Sequence, residues 1–464
     1  VKVWRICRFS IPKNSSVLSS EMQSECIVAS PMIKNRIDII SMGCSKNLID
    51  SERLIRQLSS KGYTVRHNPE NPEGEYVVVN TCGFIQDAKE ESIDMLLGLA
   101  EAKKEGKIGS IVAMGCLSQR YRDELPGEIP EVDRWYGKFD WKDFISALPD
   151  RLHGDAPRPW ERTLTTPKHS AYLKISEGCN RFCAFCAIPL ITGRHKSRPI
   201  EEILEETESL VAEGVKEFNV IAQDLSSYGT DLYGESRLAQ LIDRMADIPG
   251  VEWIRLHYAY PADFPDDILD VMAKRNNVCK YLDIALQHIS DKVLANMRRH
   301  ITGDETRALL REIRRRVPGI KIRTTLMVGF PGESEKEFEE LLEFVKEMRF
   351  DRMGAFAYSE EDDTWAAKNL NDNIPEEEKQ RRLDLLMQTQ SEIYEELNAG
   401  MIGKEVRLIV DETEGNTRVC RSEWDSPEVD MNYYVQNSDA TTGEFVTARI
   451  TEAYPFDFEA KAVE

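Results

Sequence analysis

The sequence predicts a multidomain α/β protein: an N-terminal doubly wound α/β domain, a central partial (β/α)6 barrel of the TIM type, and a small C-terminal antiparallel β-barrel. Three observations support this. Apolar runs alternate with amphipathic stretches over residues 35–150, and six more strand–helix alternations fill residues 171–397. Residues 398–464 then break into short alternating segments separated by Gly, Asn, Asp and Pro.

In the N-terminal domain IDIISMGC, EYVVVNTC and SIVAMGC read as buried parallel strands. SERLIRQLSSKG and AKEESIDMLLGLAEAKKEG, between them, carry the three-to-four spacing of crossover helices. Each strand run ends in a cysteine: Cys44, Cys82 and Cys116, 38 and then 34 residues apart. Functional groups in doubly wound sheets gather beyond the carboxyl ends of the strands, so these thiols are expected on one rim. A free cysteine also serves as a small hydrophobe. Placement at the strand-to-loop edge favours ligation.

A polar, Pro-containing linker, including HGDAPRPWERTLTTPKHS, is expected over 151–170. Beyond it the strands are YLKIS, EFNVIAQD, WIRLHYAYP, YLDIALQH, IKIRTTLMVG and RMGAFAYS. Helical segments such as IEEILEETESLVAEG and EKEFEELLEFVKEM set apolar stripes between solvated acidic faces. The first strand leads into Cys179, Cys183 and Cys186, a Cys-x-x-x-Cys-x-x-Cys triplet. A structural zinc site wants four protein ligands, and His195, the nearest candidate, is not followed by a second histidine. An iron–sulfur cube normally takes four cysteines, so three leave one iron open.

The segment SEGCNRFCAFCAIP resembles the signature of radical S-adenosylmethionine enzymes. With the triplet Cys44, Cys82 and Cys116, the chain from about residue 36 resembles the radical S-adenosylmethionine methylthiotransferases. The resemblance implies two [4Fe–4S] clusters, one on each triplet, and S-adenosylmethionine bound at the open iron of the Cys179–Cys186 cluster. Cleavage of that cofactor yields a 5′-deoxyadenosyl radical, which suits a carbon with no proton acidic enough for a general base. It also implies that the segments KEVRLIVDET, TRVCRSEW, YYVQN and EFVTARITEAYPFDFEAKAV form a TRAM domain.

Further site residues follow from the resemblance and from the rule that barrel chemistry sits at carboxyl strand ends. Phe185 matches the apolar residue that touches the adenine. Gln223 and Asp224 end the second strand, where relatives hold the cofactor's amino group; a merely polar strand end is the alternative. Arg255 lies in the third strand, Gln287 and His288 end the fourth, and Arg323 lies in the fifth. The turn Gly329-Phe330-Pro331-Gly332-Glu333 matches the glycine-containing cofactor motif and equally suits a tight βα turn. Arg194 and Arg198 meet either the cofactor carboxylate or salt-bridge partners.

Two substrate branches exist in the family, and charge separates them. One modifies a tRNA adenosine, the other an aspartate β-carbon in the small basic ribosomal protein S-twelve. RNA binders gain affinity by neutralising phosphates with Lys and Arg. From Gly403 to Glu464, however, six basic residues face fourteen acidic ones, a net charge of −8 within a chain total of −21. An acidic barrel complements a basic protein, so the protein-modifying branch is expected. AQDLSSYG, YLDIALQHISDKVLANMRR and RTTLMVGFPGES resemble that branch as well. Ala285 in place of the usual Pro, and EEDDTWAA in place of a glycine-containing segment, depart from the pattern. The alternatives are tRNA methylthiolation and a non-enzymatic iron–sulfur redox or binding protein. A reductant such as flavodoxin or ferredoxin and a sulfur donor are the further partners the resemblance implies.

Composition agrees. The 464 residues suffice for two or three domains, and ten cysteines in no small-domain pattern suit a reducing cytoplasm. No apolar run approaches the ~18 residues that read as a membrane span, so no membrane partner is expected. The sequence carries no Gly-x-x-x-x-Gly-Lys-Ser/Thr phosphate loop and no His-Glu-x-x-His zinc pair. Residues 1–34 read as an extension, disordered or introduced upstream, with no role for Cys7 and Cys26.

Overall fold

The fold, obtained as a computed structural model, is described for residues 32–152 and 156–463. Most of the expected N-terminal extension, with Cys7 and Cys26, lies outside the described residues.

Five parallel strands form the first sheet: β1 (Ile33–Ser41), β2 (Thr64–His67), β3 (Gly74–Thr81), β4 (Ser110–Gly115) and β5 (Arg134–Trp135), in the order β2-β1-β3-β4-β5. Alternating side chains feed two apolar layers. Ile37 and Ile39 pack with Leu54 and Leu58 of the helix Ser45–Ser60, while Ile40 and Val79 pack with Leu96 and Leu99 of Gln86–Lys104. The strand order reverses between β1 and β3, the point at which doubly wound sheets open a crevice at their carboxyl ends. Cys44 and Cys82 leave the sheet from those two strands.

The second sheet contains all six strands expected for the partial barrel. A short ribbon, β7 (Ser176–Glu177) with β8 (Lys196–Ser197), follows β6 (Ser170–Lys174). Then come β9 (Glu217–Ile221), β10 (Trp253–Ala259), β11 (Val278–Gln287), β12 (Lys321–Val328) and β13 (Arg352–Ala357). β6 and β9–β13 pair in chain order and in parallel. Leu173, Val220, Leu256, Ile284 and Ile322 point outward into the helix layer. The alternate face is polar: register aligns Tyr172, Asn219 and Arg255 in one row, and Asp283, Arg323 and Arg352 in another.

β14 (Glu405–Glu414), β15 (Thr417–Ser422), β16 (Asn432–Gln436), β17 (Phe445–Ala453) and β18 (Asp457–Ala462) close into a barrel. It is not antiparallel throughout, as the sequence had suggested, because β16 and β18 run parallel. An odd number of strands cannot alternate direction around a closed ring, so one parallel seam is obligatory. The stretch expected as a linker carries Arg162, which is buried and ion-paired to Glu52 (2.5 Å) and Glu206 (2.9 Å), one in each neighbouring domain.

The small barrel seats on the amino ends of the second sheet. Arg421 pairs with Glu217 at 2.7 Å, Asp425 with Arg352 at 2.5 Å, Asp430 with Arg323 at 3.4 Å, and Phe445 meets Trp253 edge-on at 4.9 Å. Each of those partners lies in the first three residues of its strand. The cysteine loop hangs from the opposite, carboxyl end.

Candidate active site

The three N-terminal cysteines converge. Cys44 precedes the helix Ser45–Ser60, Cys82 follows β3, and Cys116 opens the short helix Cys116–Arg120. At Gly43, φ is +83° and a Cβ would stand 2.7 Å from both Cβ and Sγ of Cys82. Only glycine lets this loop close so tightly. Burial pushes the Cys82 thiol up to about 12 and Cys116 to about 11; the neighbouring Cys44 thiol adds to both, while Lys138 opposes the rise at Cys116. Such thiols ionise against a bound cationic centre, which inverts the local balance.

The second triplet lies between β7 and β8. The Cys179 N–H donates to the Gly193 carbonyl at 3.2 Å, and the Cys186 N–H to the Cys183 carbonyl at 3.0 Å. Gly178, at φ +75°, runs so close to the returning chain that a Cβ would lie 2.1 Å from the Arg194 carbonyl oxygen. Burial raises the Cys179 thiol to about 12 and moves Cys186 upward too. Among the described residues no three His, Cys, Asp or Glu side chains converge closely enough to hold one metal ion. An iron–sulfur cube is gripped at separate corners, so its cysteines stand further apart than the ligands of one ion.

The segments that carry the two triplets meet. Cys116 packs directly against Ala187 and Ile191, which follow Cys186. A buried charge network joins the domains beside them: Asp50 accepts from Lys138 at 2.8 Å and Lys174 at 2.5 Å, and Lys174 also reaches Glu177 at 2.7 Å. Burial alone would raise Asp50; Lys138, Lys174 and Arg53 outweigh it and hold the carboxyl below its ordinary range.

Around the carboxyl ends of the second sheet, several buried polar atoms have no hydrogen-bond partner among the described residues: Ser176 Oγ, Gln223 Oε1, Asp224 Oδ1, Gln287 Oε1 and Tyr358 OH. Such atoms are costly when left unpaired. Five of them beside a cysteine triplet fit a polar cofactor such as S-adenosylmethionine. Gln287 adopts φ +71°, a strained conformation of the kind that collects at functional sites. Phe185 stands edge-on to Phe330 at 6.2 Å, forming an apolar wall.

Other expected residues lie elsewhere or are otherwise engaged. Arg255 is fully buried, paired to Glu217 at 2.8 Å, and donates to the Ser422 and Glu423 carbonyls of the small barrel. Arg323 sits between Asp283 (3.5 Å) and Asp430 (3.4 Å). Both hold the small barrel in place, because the third position of each strand lies near its amino end. Glu333 closes its own turn, accepting from the Gly329 N–H at 2.8 Å and from Arg382 at 2.8 Å, so Gly329 to Glu333 form a tight βα turn. His288 lies 3.6 Å from that carboxylate. Arg198 pairs with Glu202 and Glu206, Arg194 lies over the Phe182 ring, and His195 bonds Ser197.

The sequence reading missed three residues. Arg299 lies 3.3 Å from Cys183 Sγ and stacks on Tyr260, whose hydroxyl is 3.7 Å from the same sulfur. Arg181 fastens the cysteine loop to Asp224 (2.7 Å), Ser227 (3.1 Å) and Asp263 (2.8 Å).

Family models match the chain in three places: the Radical SAM superfamily over residues 173–345, uncharacterized protein family UPF0004 over 36–137, and the TRAM domain over 402–463. The ribosomal protein uS12 methylthiotransferase RimO of Bacteroides thetaiotaomicron is 57% identical over 432 residues, covering 93% of this chain and 99% of that protein. The chain belongs to the radical S-adenosylmethionine methylthiotransferases of the RimO type. The RimO proteins of Porphyromonas gingivalis (56% identity, 93% and 100% coverage) and Christiangramia forsetii (48%, 91% and 93%) agree. Among solved structures, the radical S-adenosylmethionine methyltransferase TsrM from Kitasatospora setae superposes with a TM-score of 0.52 at 15% identity, over 70% of this chain and 72% of that one. It shares the fold.

Proposed function

We propose that this protein adds a methylthio group to the β-carbon of an aspartate in ribosomal protein uS12. The substrate reading rests on relatives that share that name and match the chain over nearly their full length. The observation that carries the chemistry is the packing of Cys116 of one triplet against Ala187 and Ile191, which directly follow the other. Joining sulfur to a carbon radical requires both centres to open on one space.

In this reading Cys179, Cys183 and Cys186 would hold a [4Fe–4S] cluster beside the site for S-adenosylmethionine, and Cys44, Cys82 and Cys116 would hold a second cluster. When bound, the first cluster and its cofactor supply hydrogen-atom abstraction from a carbon that no general base could activate. The chain's own residues bind and shield. Gln223, Asp224 and Gln287 offer unpaired polar atoms to the cofactor's polar groups, and Phe185 with Phe330 walls its adenine. Arg181 and the ribbon β7–β8 keep the loop seated against solvent. A flavodoxin- or ferredoxin-type protein provides the electron, and a separate donor the sulfur. No disulfide joins the eight described cysteines, which accords with a reducing cytoplasm.

The test offers anaerobically reconstituted protein uS12 and tRNA in parallel. Mass spectrometry is expected to find one methylthio group on one aspartate of uS12. Modification of a tRNA adenosine, with uS12 untouched, would overturn the substrate assignment.

A further inference from the structure

The segment Glu360–Ala367, which follows the last strand of the second sheet and departs from the family's glycine-containing pattern, touches both cysteine loops. Glu361 is buried and accepts from Lys89 at 3.0 Å and from Arg120 at 2.6 Å. Arg120 ends the helix that Cys116 opens. It also donates to the carbonyl of Gly83, next to Cys82, at 3.0 Å, and to the Asp362 carbonyl at 2.8 Å. The Tyr121 hydroxyl donates to the Asp362 carboxylate at 2.7 Å. On the other side, the Ala366 N–H donates at 2.8 Å to the carbonyl of Ala184, the residue after Cys183. Trp365 carries Arg298 over its ring at 5.1 Å.

We infer that Glu361 and Asp362, with Lys89, Arg120 and Tyr121, form a clasp that sets the separation of the two cysteine triplets. Glu361 is thereby a positioning residue for sulfur transfer. The inference rests on the reading that each triplet holds a cluster. Buried ion pairs add little net stability over apolar packing, but they fix geometry, because removing one partner strands the others without compensation. Here the fixed geometry lies one residue from Cys82, one from Cys183, and within one short helix of Cys116.

Glu361→Gln keeps the shape of the side chain and removes its charge; Tyr121→Phe removes one hydroxyl. In the full-length, anaerobically reconstituted protein, both variants are expected to keep two clusters and to form 5′-deoxyadenosine at the parental rate. Product formed per 5′-deoxyadenosine should fall about ten- to a hundredfold in Glu361→Gln and less in Tyr121→Phe, since a misplacement of about 1 Å costs up to about a hundredfold in rate. Pulsed electron paramagnetic resonance should show the magnetic coupling between the two reduced clusters weakened and broadened. Glu361→Asp, which restores the charge, should recover most of both signals. If Glu361→Gln does not fold, Tyr121→Phe decides the matter by the same two readouts. Unchanged coupling and product ratio in the folded variants would overturn the clasp. A parental protein with a single cluster would instead remove the reading beneath it.

Discussion

The guanidinium of Arg299 is buried, lies 3.3 Å from the Cys183 sulfur, and leaves its Nε without a partner. Hydrogen bonds and positive charge at a thiolate ligand favour the more negative, reduced state of a cluster and raise its potential. Arg299→Met keeps the bulk and removes both effects. A redox titration of the reconstituted variant is expected to show a midpoint lower by about 60 mV, the one-electron equivalent of a tenfold shift. An unchanged midpoint would mean the contact has no electronic role. At the same scale, replacing Cys179, Cys183 and Cys186 with Ala is expected to abolish 5′-deoxyadenosine formation. The same change at Cys44, Cys82 and Cys116 should preserve it and abolish methylthiolation; a second cluster surviving there would refute that ligand assignment. The cysteines were legible in the sequence because a metal centre demands one donor type at short spacing. Arg299 and Tyr260 were not, since they reach Cys183 from 116 and 77 residues away and nothing local marks them.

At the scale of elements, strands and crossover helices were readable because each buries one apolar stripe of fixed period. All six strands of the partial barrel appear where alternation placed them. What alternation could not say is which end of a strand meets which partner. Arg255 and Arg323 were assigned to the cofactor from the strands they occupy, yet each is the third residue of its strand and is claimed by the small barrel. Glu333 was assigned from its motif, and serves the turn that the motif builds. The cysteine loop gives a sharper case. Gly178 and Gly193 both flank it with φ near +75°, but a Cβ at Gly178 meets the Arg194 carbonyl at 2.1 Å, whereas one at Gly193 meets nothing within 4 Å. Gly193→Ala should therefore cost only the backbone strain of φ 74°, ψ −158°, about 1–3 kcal/mol, and keep full iron content. Gly178→Ala must also push the loop apart, and iron analysis is expected to show about half the metal lost with near-unchanged circular dichroism. Equal iron content in the two variants would disprove the close-approach argument.

For the whole molecule, the charge of the C-terminal barrel divides between two tasks. Asp411, Asp425 and Asp430 turn inward to His169, Arg421, Arg352 and Arg323, and Arg421 and Arg255 share Glu217. Burial would raise the Glu217 carboxyl, but the two guanidiniums prevail and hold it far below the ordinary range. A depressed carboxylate contributes stability that is complete above its unfolded value, near 4.3, and is lost as pH falls through the folded one. Glu217→Gln should flatten that acid limb in a denaturation series. At pH 7 it should destabilise the fold by roughly 3–5 kcal/mol, because buried Arg255 loses its carboxylate partner and Arg421 keeps only Asp411. Deleting residues 400–464 would remove Arg421 and strip Arg255, Arg323 and Arg352 of their barrel partners, and so could not isolate a docking role. Other acidic side chains of the barrel, Glu412, Glu414, Glu452 and Glu459 among them, are exposed. They lie on a barrel seated at the amino ends of the sheet, away from the cysteine loops, so they can steer a basic protein without gripping the modified aspartate. Steering acts on association rate and fades as salt shortens the Debye length to about 8 Å at physiological ionic strength. Changing these four residues to Gln should slow uS12 association about two- to tenfold at low salt and hardly at all in high salt, with the dissociation rate and product per turnover unchanged. A variant that instead released uS12 faster at every salt concentration would place the barrel in the bound interface itself.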